Sequence, residues 1–335
     1  MLSTGRANKI LSKIIGIGSY KPEYRLTNSR LEELVDTSDE WIVKRTGIRE
    51  RRISMGETTW EMALKAGQAA LESAGLSGGE IDLILVSTAT PDSYTPTISC
   101  MLQDKLGAEH AMAFDLSAAC SGFVYASDVA DSYIRAGKAK NVLVVSAERL
   151  SSIIDYTDRS TCVIFGDGAG AVVYTASDDG CGILSTYMRA DGSLGHALFA
   201  GALPVENDPL TGDRTIDPKH RFLKMGGSEV FRFTAAAVPD AIDNALHRAG
   251  LQADDVDWYV LHQANQRILH MVATRYGLDE SKVYVNIDRF GNTSSASIPL
   301  CLAEMQEKGL LKPGQTILMS GFGGGLTYGA IVIKL

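Results

Sequence analysis

The stretch Ala70-Leu71-Glu72-Ser73-Ala74-Gly75-Leu76, followed by Ile81-Asp82-Leu83-Ile84-Leu85-Val86, recurs 175 positions later. The second copy is Ala245-Leu246-His247-Arg248-Ala249-Gly250-Leu251, followed by Val256-Asp257-Trp258-Tyr259-Val260-Leu261. Each copy reads as an amphipathic helix stopped by a glycine just past its end, a short polar turn, and an apolar run of strand length. A run with no polar alternation predicts a strand covered on both faces. The first helix also carries a capping-box start, Thr58-x-x-Glu61.

Working outward, Val142-Leu143-Val144-Val145-Ser146 is matched by Thr316-Ile317-Leu318-Met319-Ser320 at almost the same offset. Each half then closes on a glycine-rich turn and a β-rich strand, Gly166 to Tyr174 in one and Gly323 to Ile333 in the other. The expected architecture is a duplicated α/β unit whose helices cover its sheets, with the boundary near residues 175–185 and halves of 1–178 and 179–335. Gly195 to Lys219 is rich in turn formers and too long for an ordinary connection, so it is expected to be a lid or cap.

Composition narrows the function classes. The 335 residues are 45% hydrophobic, enough for one large core or two medium ones, and their net charge of −8 argues against a nucleic-acid surface. No apolar run reaches the roughly 18–20 residues that span a bilayer. The opening MLSTGRANKILSK lacks an apolar stretch with a cleavage site, so a soluble, cytoplasmic protein is expected. The five cysteines (Cys100, Cys120, Cys162, Cys181, Cys301) include no C-x-x-C pair, which signals neither a disulfide framework nor a metal site.

In Phe114-Asp115-Leu116-Ser117-Ala118-Ala119-Cys120-Ser121-Gly122, small residues surround a cysteine where an extended run gives way to a helical one. Unpaired N–H groups and the helix dipole lower the pKa of a cysteine so placed. The plainer alternative is a buried packing cysteine. His262 ends the apolar run Tyr259-Val260-Leu261, at the strand end where α/β folds place reactive groups; a lone histidine there can equally be a satisfied surface residue. Asn292, in Phe290-Gly291-Asn292-Thr293-Ser294-Ser295, reads as an ordinary helix cap or as a site residue. The repeat favours the second reading, because Ser295 is the counterpart of Cys120 and the two turns would face each other. The cluster Gly321 to Gly329 lets backbone approach a ligand closely, but it lacks the Gly-Lys-Ser/Thr ending of a phosphate loop, and no dinucleotide fingerprint is present. No cofactor is expected.

Together with Thr37-Ser38-Asp39-Glu40-Trp41-Ile42 and Arg45-Thr46-Gly47-Ile48, these segments resemble the thiolase superfamily and, within it, the β-ketoacyl-[acyl-carrier-protein] synthase III family, over nearly the whole chain. The resemblance implies a thiolase-like α/β fold of two duplicated α-β-α-β-α halves about a pseudo-twofold axis. It also implies a homodimer, with Thr97 to Leu106 in the interface. Its chemistry is the initiating condensation of type II fatty-acid synthesis, with acyl-CoA and malonyl-acyl-carrier-protein as substrates. The implied catalytic set is Cys120, His262 and Asn292, with the N–H groups of Cys120 and Gly324 as the oxyanion hole. Coenzyme A would be held by Trp41, Arg45, Arg159 and Asn265, with Ser228 standing where some relatives carry asparagine. Arg267, Arg232 and Arg275 would receive the acidic carrier protein, and Thr95 would border the acyl pocket and admit primers longer than acetyl, the default. Three rivals remain on the sequence: a condensing enzyme of secondary metabolism using CoA thioesters alone, a Cys-His-Asn hydrolase, and a noncatalytic acyl-binding protein.

Overall fold

The computed structural model describes residues 10–202 and 219–335; most of the expected lid, Gly195 to Lys219, lies outside the described residues. Five strands form the first sheet: β1 (Leu11–Tyr20), β2 (Leu83–Ser87), β3 (Met112–Leu116), β4 (Asn141–Glu148) and β5 (Gly168–Ser177). Their order is β1-β5-β4-β2-β3, with β3, β2 and β4 parallel and β5 antiparallel to both neighbours. The second sheet repeats this with β6 (Gly182–Ala190), β7 (Trp258–Leu261), β8 (Thr316–Gly323) and β9 (Thr327–Lys334), in the order β7-β8-β9-β6. The counterpart of edge strand β3 shrinks to a single parallel bridge between Tyr259 and Val283.

The labelled helices are α1 (Asp39–Thr46), α2 (Thr59–Ala74), α3 (Ile98–Lys105), α4 (Gly122–Arg135), α5 (Gly227–Ala249), α6 (Gln266–Tyr276) and α7 (Ser297–Glu307). The repeat sets their ends. Thr58 and Glu61 form the reciprocal cap expected of the α2 start, and α2 and α5 both end on left-handed glycines, Gly75 at φ 67° and Gly250 at φ 71°.

Layering follows from the apolar faces. Phe123 and Val124 of α4 and Ile298 and Leu302 of α7 share one core with inward residues of both sheets, among them Leu85, Val144, Met319 and Ile331. Met62, Ala66 and Ala70 of α2 cover the outer face of the first sheet; Ile242 and Leu246 of α5, with Ile268 and Val272 of α6, cover that of the second. Both expected strand runs are buried on two faces, as their composition requires. The five layers run helix, sheet, paired helices, sheet, helix, and the strand ends bearing Ser87, Glu148 and Gly323 lie against the two short turns that begin α4 and α7.

The seam between β1 and α2 depends on glycine. A Cβ on Gly18 would lie 2.3 Å from Ala70 N and 2.4 Å from Ala66 O, both backbone atoms, so the helix would have to lift off the sheet. Gly18→Ala is therefore expected to lower stability by about 1–3 kcal/mol in urea unfolding. Gly56→Ala, with no atom within 4 Å of the added carbon, is the control expected to unfold at the parent midpoint.

Candidate active site

Cys120 lies in a tight turn, Ala119–Ser121, between β3 and α4. Ala119 adopts φ 45°, a left-handed conformation that residues other than glycine rarely take. The turn is tied to the other half, since Thr327 donates to Ala118 O at 3.0 Å and lies 2.6 Å from the Ser121 hydroxyl. Gly323, the last residue of β8, lies so close that an added Cβ would meet Cys120 N at 2.6 Å. The Gly324 N–H next to it favours the ionised form of the Cys120 sulfur.

His262 follows β7 directly, and its N–H extends that strand's pairing to Ser320 O at 2.8 Å. Its ring is fully buried, edge-on to Phe322 with centroids 5.1 Å apart. Nδ1 lies 2.7 Å from Ser297 Oγ, which leaves Nε2 as the ring's other polar atom. Asn292 is held by its backbone to Ile164 O and Gly166 N, at 2.9 and 3.0 Å. Its side chain does cap the next turn, because Oδ1 accepts the Ser294 N–H at 2.9 Å. That contact fixes the amide and leaves Nδ2 as the group with a free donor.

Cys120, His262 and Asn292 line one cavity of about 760 Å³, together with Trp41, Arg45, Arg159, Ser228, Arg232, Asn265 and Arg267. The Arg45 and Arg159 guanidinium carbons lie 4.9 and 5.4 Å from the Trp41 ring centroid. Asn265 caps α6, accepting from Arg267 N and donating to Arg45 O, and Arg267 donates to Lys44 O at 3.2 Å, so α1 and α6 build this side of the cavity together. Two expected residues are not brought here. Arg275 lies about 12 Å further along α6 than Arg267 and faces Asp243 at 3.6 Å. Thr95 lies on an exposed segment ahead of α3 and does not line the cavity of its own chain.

Two family models cover the segments that carry Cys120, His262 and Asn292. Residues 114–192 match 3-oxoacyl-[acyl-carrier-protein (ACP)] synthase III, and residues 246–335 match the C-terminal model of the same enzyme. A β-ketoacyl-[acyl-carrier-protein] synthase III of Clostridium perfringens is 46% identical over 324 residues, 97% of this chain and 99% of its own. The Aquifex aeolicus enzyme of that name is 47% identical over 323 residues, and a crystal structure of 3-oxoacyl-[acyl-carrier-protein] synthase III from that organism superposes with a TM-score of 0.90 over 97% of this chain and all of its own. The chain belongs to the β-ketoacyl-[acyl-carrier-protein] synthase III family. A solved priming β-ketosynthase of the R1128 polyketide pathway shares the fold at TM-score 0.90 but only 38% identity.

The electrostatics of this synthase III site correct one expectation. Burial, the largest influence, pushes the Cys120 thiol up to about 12, and the Glu148 charge adds to this; the Ser294 hydroxyl and the N–H groups of Cys120 and Gly324 oppose it. The helix terminus that was expected to favour thiolate is outweighed by desolvation. Three residues that matter here had no local signal. Ser294, Ser297 and Glu148 are a turn serine, a helix-start serine and a strand-end glutamate in sequence. Only the offset of 175, which makes Ser294 the counterpart of Ala119, points to the first of them.

Burial also pushes His262 down to about 3. Because the unfolded chain binds a proton that the folded chain refuses, stability is complete above about pH 6.5 and falls as pH drops toward 3. One such group changes stability by about 1.4 kcal/mol per pH unit. Urea unfolding at pH 7 and pH 5 should thus show a loss for the parent that is about 2 kcal/mol larger than for His262→Gln. Equal losses would mean that the ring takes up a proton in the folded protein.

Proposed function

We propose that Cys120 carries the acyl group of a decarboxylative condensation while His262 and Asn292 hold the oxygen of its carbon nucleophile. The chain is an initiating condensing enzyme of fatty-acid synthesis and an acyltransferase by reaction type. On this reading an acyl group moves from acyl-CoA to Cys120 and is joined to malonyl-acyl-carrier-protein, giving 3-oxoacyl-acyl-carrier-protein, CoA and carbon dioxide. The observation that carries the reading is the meeting of Cys120, His262 and Asn292 in one buried cavity that also holds Trp41 with two guanidinium groups at its ring.

In the first half-reaction the Cys120 sulfur attacks the thioester carbonyl, and the N–H groups of Cys120 and Gly324 receive the oxyanion. In the second, loss of carbon dioxide generates an enolate without a strong base. Two neutral donors then suit its oxygen better than a cation, because they stabilise the charge and leave the carbon nucleophilic. Asn292 can only donate from Nδ2, its Oδ1 being occupied by Ser294 N–H. For His262, Nδ1 lies 2.7 Å from the Ser297 hydroxyl; in the tautomer where that hydroxyl donates, the ring proton stands on Nε2, and burial favours the neutral ring.

At the polar side of the cavity, Trp41 offers a stacking face for the adenine of coenzyme A, Arg45 and Arg159 offer cations for its phosphates, and Asn265 a contact for the pantetheine arm. Arg267 and Arg232 offer a basic approach for the acidic carrier protein, with Arg275 at its margin. Thr95 needs a second subunit to reach an acyl chamber, so the reading includes a homodimer, with Thr97 to Leu106 in its interface. Acetyl is the default primer, and residues 1–178 and 179–335 are the two halves. A protein with this chemistry, with no described helix long and apolar enough to cross a membrane, fits the cytoplasm. The reading of a secondary-metabolism enzyme using CoA thioesters alone is less favoured, because the synthase III relatives are 46–47% identical and the polyketide enzyme 38%.

Mass spectrometry after exposure to a mixed acyl-CoA pool tests the reading directly: a single acyl adduct on Cys120 is expected, and no adduct would end it. Removing a donor to an oxyanion costs roughly 10²–10³ in rate. Asn292→Ala should accordingly lose malonyl decarboxylation by that factor while Cys120 acylation stays within a few-fold of the parent; intact decarboxylation would sink the assignment. Arg267→Glu should raise the KM for malonyl-acyl-carrier-protein without changing that for acyl-CoA hydrolysis or exchange, and an unmoved KM would take Arg267 off the docking surface.

A further inference from the structure

A neutral imidazole donates from one ring nitrogen and accepts at the other. With its proton on Nε2, His262 donates to whatever meets that nitrogen; with the proton on Nδ1, it presents a lone pair there and acts as a base. The partner of one nitrogen decides the protonation of the other. For His262 that partner stands at Nδ1.

It is Ser297, the first residue of α7. The Ser297 Oγ lies 2.7 Å from Nδ1 and 3.4 Å from the Gln263 nitrogen, whose N–H points at it. Ser297, His262 and Gln263 are 2%, 1% and 1% exposed, so solvent offers the hydroxyl no partner. Among the described residues, Nδ1 and the Gln263 N–H are the hydrogen-bonding groups that it meets. A main-chain N–H can only donate, so the serine oxygen accepts from Gln263. The Gln263 side chain holds that residue in place, donating to Leu261 O at 2.9 Å and Tyr284 O at 3.1 Å and accepting the Asn286 N–H at 3.1 Å.

The hydroxyl hydrogen then has one acceptor, Nδ1. Were the ring proton on Nδ1, the serine oxygen would accept twice and its own hydrogen would be buried without an acceptor, the costly arrangement for a polar group. A carboxylate in this place would draw the ring proton to Nδ1 and make Nε2 a base, as in hydrolase triads. A hydroxyl does the opposite when its oxygen is already engaged.

We propose that Ser297 is a positioning residue that commits His262 to the tautomer with its proton on Nε2, making the ring a donor to the cavity and not a base. This rests on the reading in which His262 holds the oxygen of the carbon nucleophile. Ser297 touches no substrate and acts through the ring. The equivalent residue of the other half is Gly122, where a Cβ would meet Ser87 Oγ at 1.8 Å, so the hydroxyl occurs only in the half that carries the histidine.

The test is nitrogen NMR of the full chain with isotope-labelled histidine at pH 7, the His262 signals being identified by their loss in His262→Gln. In the parent, Nε2 is expected at the position of a protonated ring nitrogen and Nδ1 at that of an unprotonated one, drawn upfield by its hydrogen bond. Ser297→Ala removes that bond, so the Nδ1 signal should move downfield. Carbon dioxide release from malonyl-acyl-carrier-protein should fall about 10²-fold in this variant as the ring loses its hold, while Cys120 acylation by acetyl-CoA stays within a few-fold of the parent. Ser297→Thr keeps the hydroxyl and should keep both the parent signals and decarboxylation. A parent ring protonated on Nδ1, an Nδ1 signal unmoved in Ser297→Ala, or unchanged decarboxylation in that variant would each overturn the proposal; the parent spectrum decides if the variants do not fold. A parent whose Cys120 accepts no acyl group would overturn the functional reading instead, and leaves the tautomer to be read from the same spectrum.

Discussion

Two short turns packed against each other across the pseudo-twofold axis are the constraint on which the rest of the site depends. They span Ala119–Ser121 and Ser294–Ala296, and their first residues, Ala119 and Ser294, share a left-handed backbone at φ 45° and 50°. Such a conformation costs of order 1–3 kcal/mol in a residue with a Cβ and persists only where the surroundings over-determine it. Here the surroundings are the opposite half. Thr327 holds the Ala118 carbonyl and contacts Ser121, while Glu148 holds Ser294 and Ser295. Each turn is clamped by a strand end or hairpin of the other half, so neither half can form its turn in final shape alone.

Within that frame, function comes from the differences between equivalent positions. Cys120 is matched by Ser295, Glu148 by Gly323, and Gly122 by Ser297. Gly323 has no side chain because the Cys120 backbone occupies the space; Glu148 fills the matching space and reaches the other turn. Ser297 adds a hydroxyl where its counterpart must be bare, since a Cβ on Gly122 would meet Ser87 Oγ at 1.8 Å, and that hydroxyl holds the His262 ring. The two halves thus diverge at the positions where their turns meet, a cysteine and a bare glycine in one facing serines in the other.

The architecture was legible because it is written in local signals: a capping box, two glycines past helix ends, and apolar runs without alternation, each repeated at one offset. The meeting of Cys120, His262 and Asn292 was legible through the same offset, once the family resemblance had said which residues to watch. The ionisation of Cys120 was not, because the dipole of its helix can be read from the chain and the burial that outweighs it cannot. Glu148 and Ser297 were silent for a related reason. Their partners lie 146 and 35 residues away, and no local pattern separates a strand-end glutamate facing water from one sealed beneath a turn. Arg275, a basic residue in the same helix as Arg267, stands two turns away from the cavity and faces Asp243, a placement that helical spacing alone does not reveal.

Burial divides the site into two regions. Cys120, His262, Asn292, Ser294 and Glu148 are all at least nine-tenths buried, whereas Arg45, Arg159 and Arg267, at the polar side of the cavity, are solvent-exposed. The same burial raises the penalty for every new charge and holds the His262 ring toward its neutral form.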